Sequence, residues 1–156
     1  MPRDTRERCA MTSVHDVAAY ILQKTGPMSA MKLQKLVYYA QAWHLVWEER
    51  PLFDAPIEAW ANGPVCRALY ARHRGRFVVD EWDGDPDALD AADRTTLDAV
   101  LDFYGKRSAH ELSELTHREA PWHDARENLP TGARSDVVIT AAAMHEFYDG
   151  LITTSS

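Results

Sequence analysis

Hydrophobic positions in this chain recur with helical rather than strand spacing over most of its length. After Ser13, whose hydroxyl suits an N-cap, Val14, Val17, Ala18, Ile21 and Leu22 share one face, and Gly26-Pro27 supplies a stop. A second helix is predicted from about Ser29 to Glu49, ahead of Pro51. At about 100° per residue, its Leu33, Leu36, Val37, Ala40, Trp43, His44 and Trp47 fill an arc of roughly 120°. Met31, Tyr38, Ala42 and Leu45 form a second apolar arc, which leaves Gln34 and Gln41 on one flank and Lys32 and Lys35 on the other. A helix apolar on two sides is either central to the fold or offers one side to a partner.

Pro51 and Pro56 deny the following stretch a helical interior, so Ile57–Trp60 reads as a short strand before a turn at Asn62-Gly63-Pro64. Pro64 is expected to open a short helix through about His73, ended by Gly75, and Phe77-Val78-Val79 is expected to pair with Ile57–Trp60. Asp80 to Asp93 holds seven acids and no base, the pattern of a solvated loop leading into an N-cap at Asp90. Leu97, Val100, Leu101 and Tyr104 mark the buried face of the next helix, closed by Gly105. Ser108 and Glu111 make a capping box for a helix with Leu112 and Leu115 inward, and a short turn from Pro121 carries Trp122. Past a polar loop from 128 to 136, Val138-Ile139 lead into a last helix near Ala141 to Asp149. The fold class is therefore mainly α: one domain over 13–151 around a central buried helix at about 29–49, with at most a short two-stranded β element. Residues 1–12 and 152–156 read as tails, and Met11 is a possible alternative start.

With 156 residues the chain is long enough to bury roughly 70% of its unfolded surface. No apolar run approaches the roughly 20 residues that span a bilayer, and the polar N-terminus has no signal-peptide segment, so the expected location is the cytoplasm. Two cysteines, Cys9 and Cys66, exclude a disulfide framework or a cysteine-based zinc site. A formal charge of −7 excludes a nucleic-acid footprint spread over the whole molecule.

Candidate chemistry is sparse. His110, Glu114 and His117 stack on one helical face, but glutamate stands where a zinc-protease helix needs its second histidine, and capping and hydrogen bonding account for the trio. Asp83, Asp85 and Asp87 alternate as in the first half of a calcium loop, whose later glycine and glutamate are replaced by Ala88 and Arg94. Cys66 and His73 are too far apart on one helix to form a nucleophile and base. No enzyme signature, metal or cofactor is predicted. Arg67, Arg72, Arg74 and Arg76 with His73 form one local basic patch, suited to a partner's carboxylates, to phosphate or to the neighbouring acidic loop. Trp60 beside Gly63-Pro64 fits an interface anchor or a core position.

In their order, Lys32-Leu33-Gln34-Lys35-Leu36, Tyr38, Pro51-Leu52-Phe53, Ile57-Glu58-Ala59-Trp60, Gly63-Pro64-Val65, Leu112-Ser113-Glu114-Leu115-Thr116-His117 and Pro121-Trp122 resemble the Panacea domain of SocA-like antitoxins and GepA-type phage-associated proteins. The resemblance spans about Ser13 to Leu151. It implies an antitoxin that neutralises a cognate toxin, usually encoded next door, by direct protein–protein binding. It also admits an adaptor that hands the toxin to a Clp-type protease. A DNA-binding autoregulator lacks any appended helix-turn-helix here, and a metal hydrolase would have to rest on His110 and His117. The expected docking surface comprises Trp60, Asn62, Gly63, Pro64 and Arg67 at the turn, with Lys35 and Tyr38 on an exposed side of the central helix. These family-matching positions are not obviously needed by the core, and a turn held by Gly63-Pro64 binds with little ordering entropy.

Overall fold

The computed structural model describes residues 12–127, 129–130 and 132–155. Helix α1 (Val14–Thr25) starts where Ser13 accepts the His15 amide and ends at Gly26, whose φ of 83° a side chain would resist. Strand β1 (Met28–Ser29) leads into α2 (Ala30–Glu48), capped by the Ser29 hydroxyl on the Lys32 amide. A hairpin of β2 (Ile57–Trp60) and β3 (Gly63–Cys66) follows, then α3 (Arg67–His73), β4 (Val78–Val79) and a 3-10 turn at Pro86–Ala88. Helices α4 (Ala91–Tyr104) and α5 (Ala109–His117) each open on a reciprocal capping box, Asp90 with Asp93 and Ser108 with Glu111. The chain closes with α6 (Ala120–Ala125), β5 (Val138–Ile139) and α7 (Ala141–Ser155).

Mainly α is the observed class, and α2 is its axis: α4 and α7 flank it, and α1, α5 and β3 pack on its other sides. Most of both predicted apolar arcs is buried, while Trp47 of the first stays exposed and Met31 of the second is half-buried. Leu33, Leu36, Val37 and Ala40 lie fully inside, and so do Tyr38 and Ala42 of the second arc. Each large side chain buried this way contributes about 1.5–3 kcal/mol. The polar flank is interior as well. Gln41 accepts the Leu52 and Phe53 amides at 2.8 and 3.3 Å and donates to the Phe53 carbonyl at 2.8 Å. Its amide thereby serves as backbone partner for the connector that leaves α2.

Three local expectations are corrected. Val78–Val79 pairs with Met28–Ser29, because both edges of β2 are taken, by β3 through a two-residue turn and by Val138–Ile139. Pro64 lies in β3 opposite Ala59, and the helix expected to begin there starts at Arg67. Helix α7 runs past Asp149 to Ser155. Of the expected N-terminal tail only Thr12 is described, and it donates to Asp93 Oδ2 at 2.9 Å; Cys9 and Met11 lie outside the described residues. No described helix is long and apolar enough to cross a membrane.

Candidate partner-binding site

The hairpin β2–β3 turns at Ala61-Asn62, and Gly63 leaves the turn at φ 125°. What fills the space beside Gly63 is Lys35. A Cβ on Gly63 would lie 2.4 Å from Lys35 Cε and 3.2 Å from both Lys35 Nζ and Thr116 Oγ1. Lys35 is fully buried, and its Nζ has no hydrogen-bond partner among the described residues. Burial without a counter-charge pushes the amine down to about 7.

Other side chains brace the same hairpin from inside. Gln34 accepts the Cys66 amide at 2.8 Å and donates to the Cys66 carbonyl at 3.2 Å, so its amide mimics a neighbouring strand along the edge of β3. The same Gln34 nitrogen lies 2.9 Å from His73 Nε2, and burial lowers the pKa of that ring. Ser113 donates to the Asn62 carbonyl at 2.5 Å and Trp122 to the Trp60 carbonyl at 2.8 Å. His117 stacks on Trp122 with centroids 4.0 Å apart, and burial lowers its pKa too. Arg126, buried over the Trp122 ring, donates to the Ala59 carbonyl at 3.0 Å.

Outward, the hairpin shows a different chemistry. Glu58 accepts the Trp60 indole N–H at 2.8 Å and two Arg67 guanidinium N–H groups at 3.1 and 2.9 Å. Burial would raise the Glu58 carboxyl, but these donors outweigh it and hold it below its ordinary value. Arg67 lies over the Trp60 ring at 5.3 Å, and Tyr70 meets that ring edge-on at 4.8 Å. Beside them opens a groove of about 730 Å³, bordered by Trp60, Asn62, Arg67, Tyr70, Arg74 and Arg134, with Met31 and Val65 at its floor.

The structure thus gathers Trp60, Asn62 and Arg67 on one open groove and puts Gly63 and Pro64 immediately behind it, buried. The expected exposure of Lys35 and Tyr38 is corrected. Lys35 points under the hairpin, and Tyr38 is covered by α7, where its hydroxyl lies 3.0 Å from that of Tyr148. A single helix cannot reveal which later segment covers it. Tyr70 and Arg134 were not anticipated: Tyr70 follows Arg67 by one helical turn, whereas no local signal links Arg134 to the hairpin. Arg72 meets the acidic loop at the Asp83 carbonyl, 2.6 Å away, while Arg67 pairs with Glu58 instead. His110 and Glu114 are exposed, and among the described residues no group of His, Cys, Asp or Glu is placed to hold a metal ion.

Fold and site together define a mainly helical protein whose distinctive surface feature is one hairpin braced from the core. Residues 33–123 match the family described as antitoxin SocA-like, Panacea domain. Antitoxin SocA of Caulobacter vibrioides (strain NA1000 / CB15N) is 30% identical over 129 residues, covering 68% of this chain and 66% of that protein. The chain therefore spans just under two thirds of the length of this curated relative. No solved structure matches. The chain belongs to the SocA-like, Panacea-domain antitoxin family.

Proposed function

We propose that this protein neutralises a cognate toxin by direct protein–protein binding, without catalysis, and that the toxin docks on the groove beside the Trp60–Arg67 turn. The observation that carries this reading is the division of labour in the hairpin. Its inner side is held by Lys35, Gln34, Ser113, Trp122 and Arg126, while its outer side leaves Trp60, Asn62 and Arg67 at an open groove. A surface already ordered before binding loses little entropy on docking, and tryptophan and arginine are the residue types that dominate interface energetics. Gly63, Pro64 and Lys35 act from behind by fixing the turn. Tyr38, sealed beneath α7, has no part in docking.

The toxin is expected to be the product of an adjacent gene, and the encounter to take place in the cytoplasm. Transfer of the bound toxin to a Clp-type protease is an extension of the same binding step. Co-expression with the adjacent gene product, with growth as readout, tests the proposal. Arg67→Glu and Asn62→Trp variants that melt like the parent should bind roughly 1–3 kcal/mol more weakly and fail to rescue growth. Rescue by both at parental level places docking elsewhere. Rescue that persists in a Clp-deficient host means binding alone suffices.

A further inference from the structure

We infer that the groove receives an acidic, extended segment of the partner protein, with an apolar anchor seated against Trp60 and Tyr70 and carboxylates meeting Arg74 and Arg134. This rests on the docking role proposed for the same face. The first support is charge. The chain carries 24 acids against 17 bases, yet Arg67 at the start of α3, Arg74 just past its end and Arg134 from the 132–136 segment converge on one groove, where Asp136 is the single lining acid. The fold, not the local sequence, brings Arg134 there.

The second support is that the groove edge already performs this recognition internally. The Glu58 carboxylate is held by the Trp60 indole and the Arg67 fork at 2.8 to 3.1 Å, with the guanidinium laid over the indole ring. Arg67 is thereby largely spent, and it serves to orient the aromatic face. Arg74 and Arg134 differ: both are exposed, and neither forms a salt bridge among the described residues. Their forks remain available for carboxylates arriving from outside. The half-buried faces of Trp60 and Tyr70 offer an apolar seat between them.

A nucleic-acid strand also pairs arginine with aromatic faces, but its backbone presents negative charge at every step. Asp136, on the groove wall, would face that backbone as a like charge. A polypeptide supplies carboxylates at selected positions and backbone N–H donors between them, which Asp136 accepts. The groove therefore favours an acidic peptide segment over a strand of DNA or RNA.

The test is a selection of displayed random peptides against the full chain, followed by binding titrations of the enriched peptides. An Arg74→Glu/Arg134→Glu variant is compared with the parent and with a Lys106→Glu control, after all three are shown to melt alike. Enriched peptides should combine aspartate or glutamate with an aromatic or aliphatic residue. Their affinity should fall roughly tenfold or more in the double variant and hold in the control. The inference is overturned by no enrichment, by enrichment of basic or neutral peptides, by acidic binders insensitive to the double variant, or by a fluorescent single-stranded oligonucleotide bound through these arginines. Self-association of the chain that is lost in the double variant also overturns it, since the groove would then hold a second copy. Co-expression separates this from the parent reading. If Arg67→Glu loses rescue while the double variant retains it, docking stands and the acidic occupant fails; if both retain it, docking at this face fails.

Discussion

The volume that a Cβ on Gly63 would take is occupied by Lys35 Cε, and the φ of 125° at Gly63 is one that other residues resist. Backbone strain of about 1–3 kcal/mol and overpacking of about 1–3 kcal/mol therefore add in Gly63→Ala, for an expected loss of roughly 3 kcal/mol or more in denaturant titrations. Combining it with Lys35→Ala should recover the steric part and leave the strain, a coupling measurable in a double-mutant cycle. Strictly additive costs would show that the two residues do not share this space. The Lys35 amine itself has no hydrogen-bond partner among the described residues, although a buried amine is costly when unpaired. Its neutral form is the one that burial favours.

At the scale of elements, α2 decides the fold because neighbours pack on nearly all of its circumference. Leu36 is fully enclosed on it, and a carboxylate there has no water and no counter-ion. Leu36→Asp should cost several kcal/mol and leave a protein without a cooperative thermal transition, as read by circular dichroism and calorimetry. A melt within a few degrees of the parent would mean the helix tolerates opening on that side. The hairpin depends on the same element through Gln34, whose amide takes both backbone groups of Cys66 that would otherwise be left at the edge of β3.

For the molecule as a whole, the buried and half-buried bases set the direction in which stability changes with pH. His15, His44, His73 and His117 all have pKa values lowered chiefly by burial from the ordinary 6.5. The unfolded chain therefore binds their protons first, and stability is lost as pH falls below about 6.5. Lys35 extends the trend upward. Between about 7 and its ordinary 10.5 the unfolded chain holds a proton that the folded one does not, so stability rises with pH across that window. Cys66 acts in reverse: burial raises its pKa above the ordinary 9.0, and stability declines as the unfolded thiol ionises. The unfolding midpoint should thus climb upward from about pH 6 and level off above about pH 9, where the loss at Cys66 offsets the continuing gain at Lys35. Lys35→Met should flatten the rise above pH 7 while leaving the acid limb in place. An unchanged profile in that variant would mean that the folded protein keeps Lys35 charged.

The local pattern alone determined which segments are helical and where most of them start, but not the start of α3 or the end of α7. The hydroxyls of Ser13, Ser29 and Ser108 and the Asp90 carboxylate cap the helices where expected, because capping depends on residues within one turn. The family was legible as well, since it is carried by linear wording from Lys32 to Trp122, and so was the turn that presents Trp60, Asn62 and Arg67. Tertiary structure decided which apolar positions of α2 stay open: α7, far along the chain, covers Tyr38, while Trp47 remains exposed. It also decided the strand partners, as Ile57–Trp60 gains Val138–Ile139 across a separation that carries no local signal. Lys35, Gly63, Thr116 and Trp122 become one brace behind the hairpin only when α2, α5 and α6 meet there. Periodicity reports how a residue sits on its own element; what covers that residue is fixed by segments whose approach depends on the energy of the whole packed core.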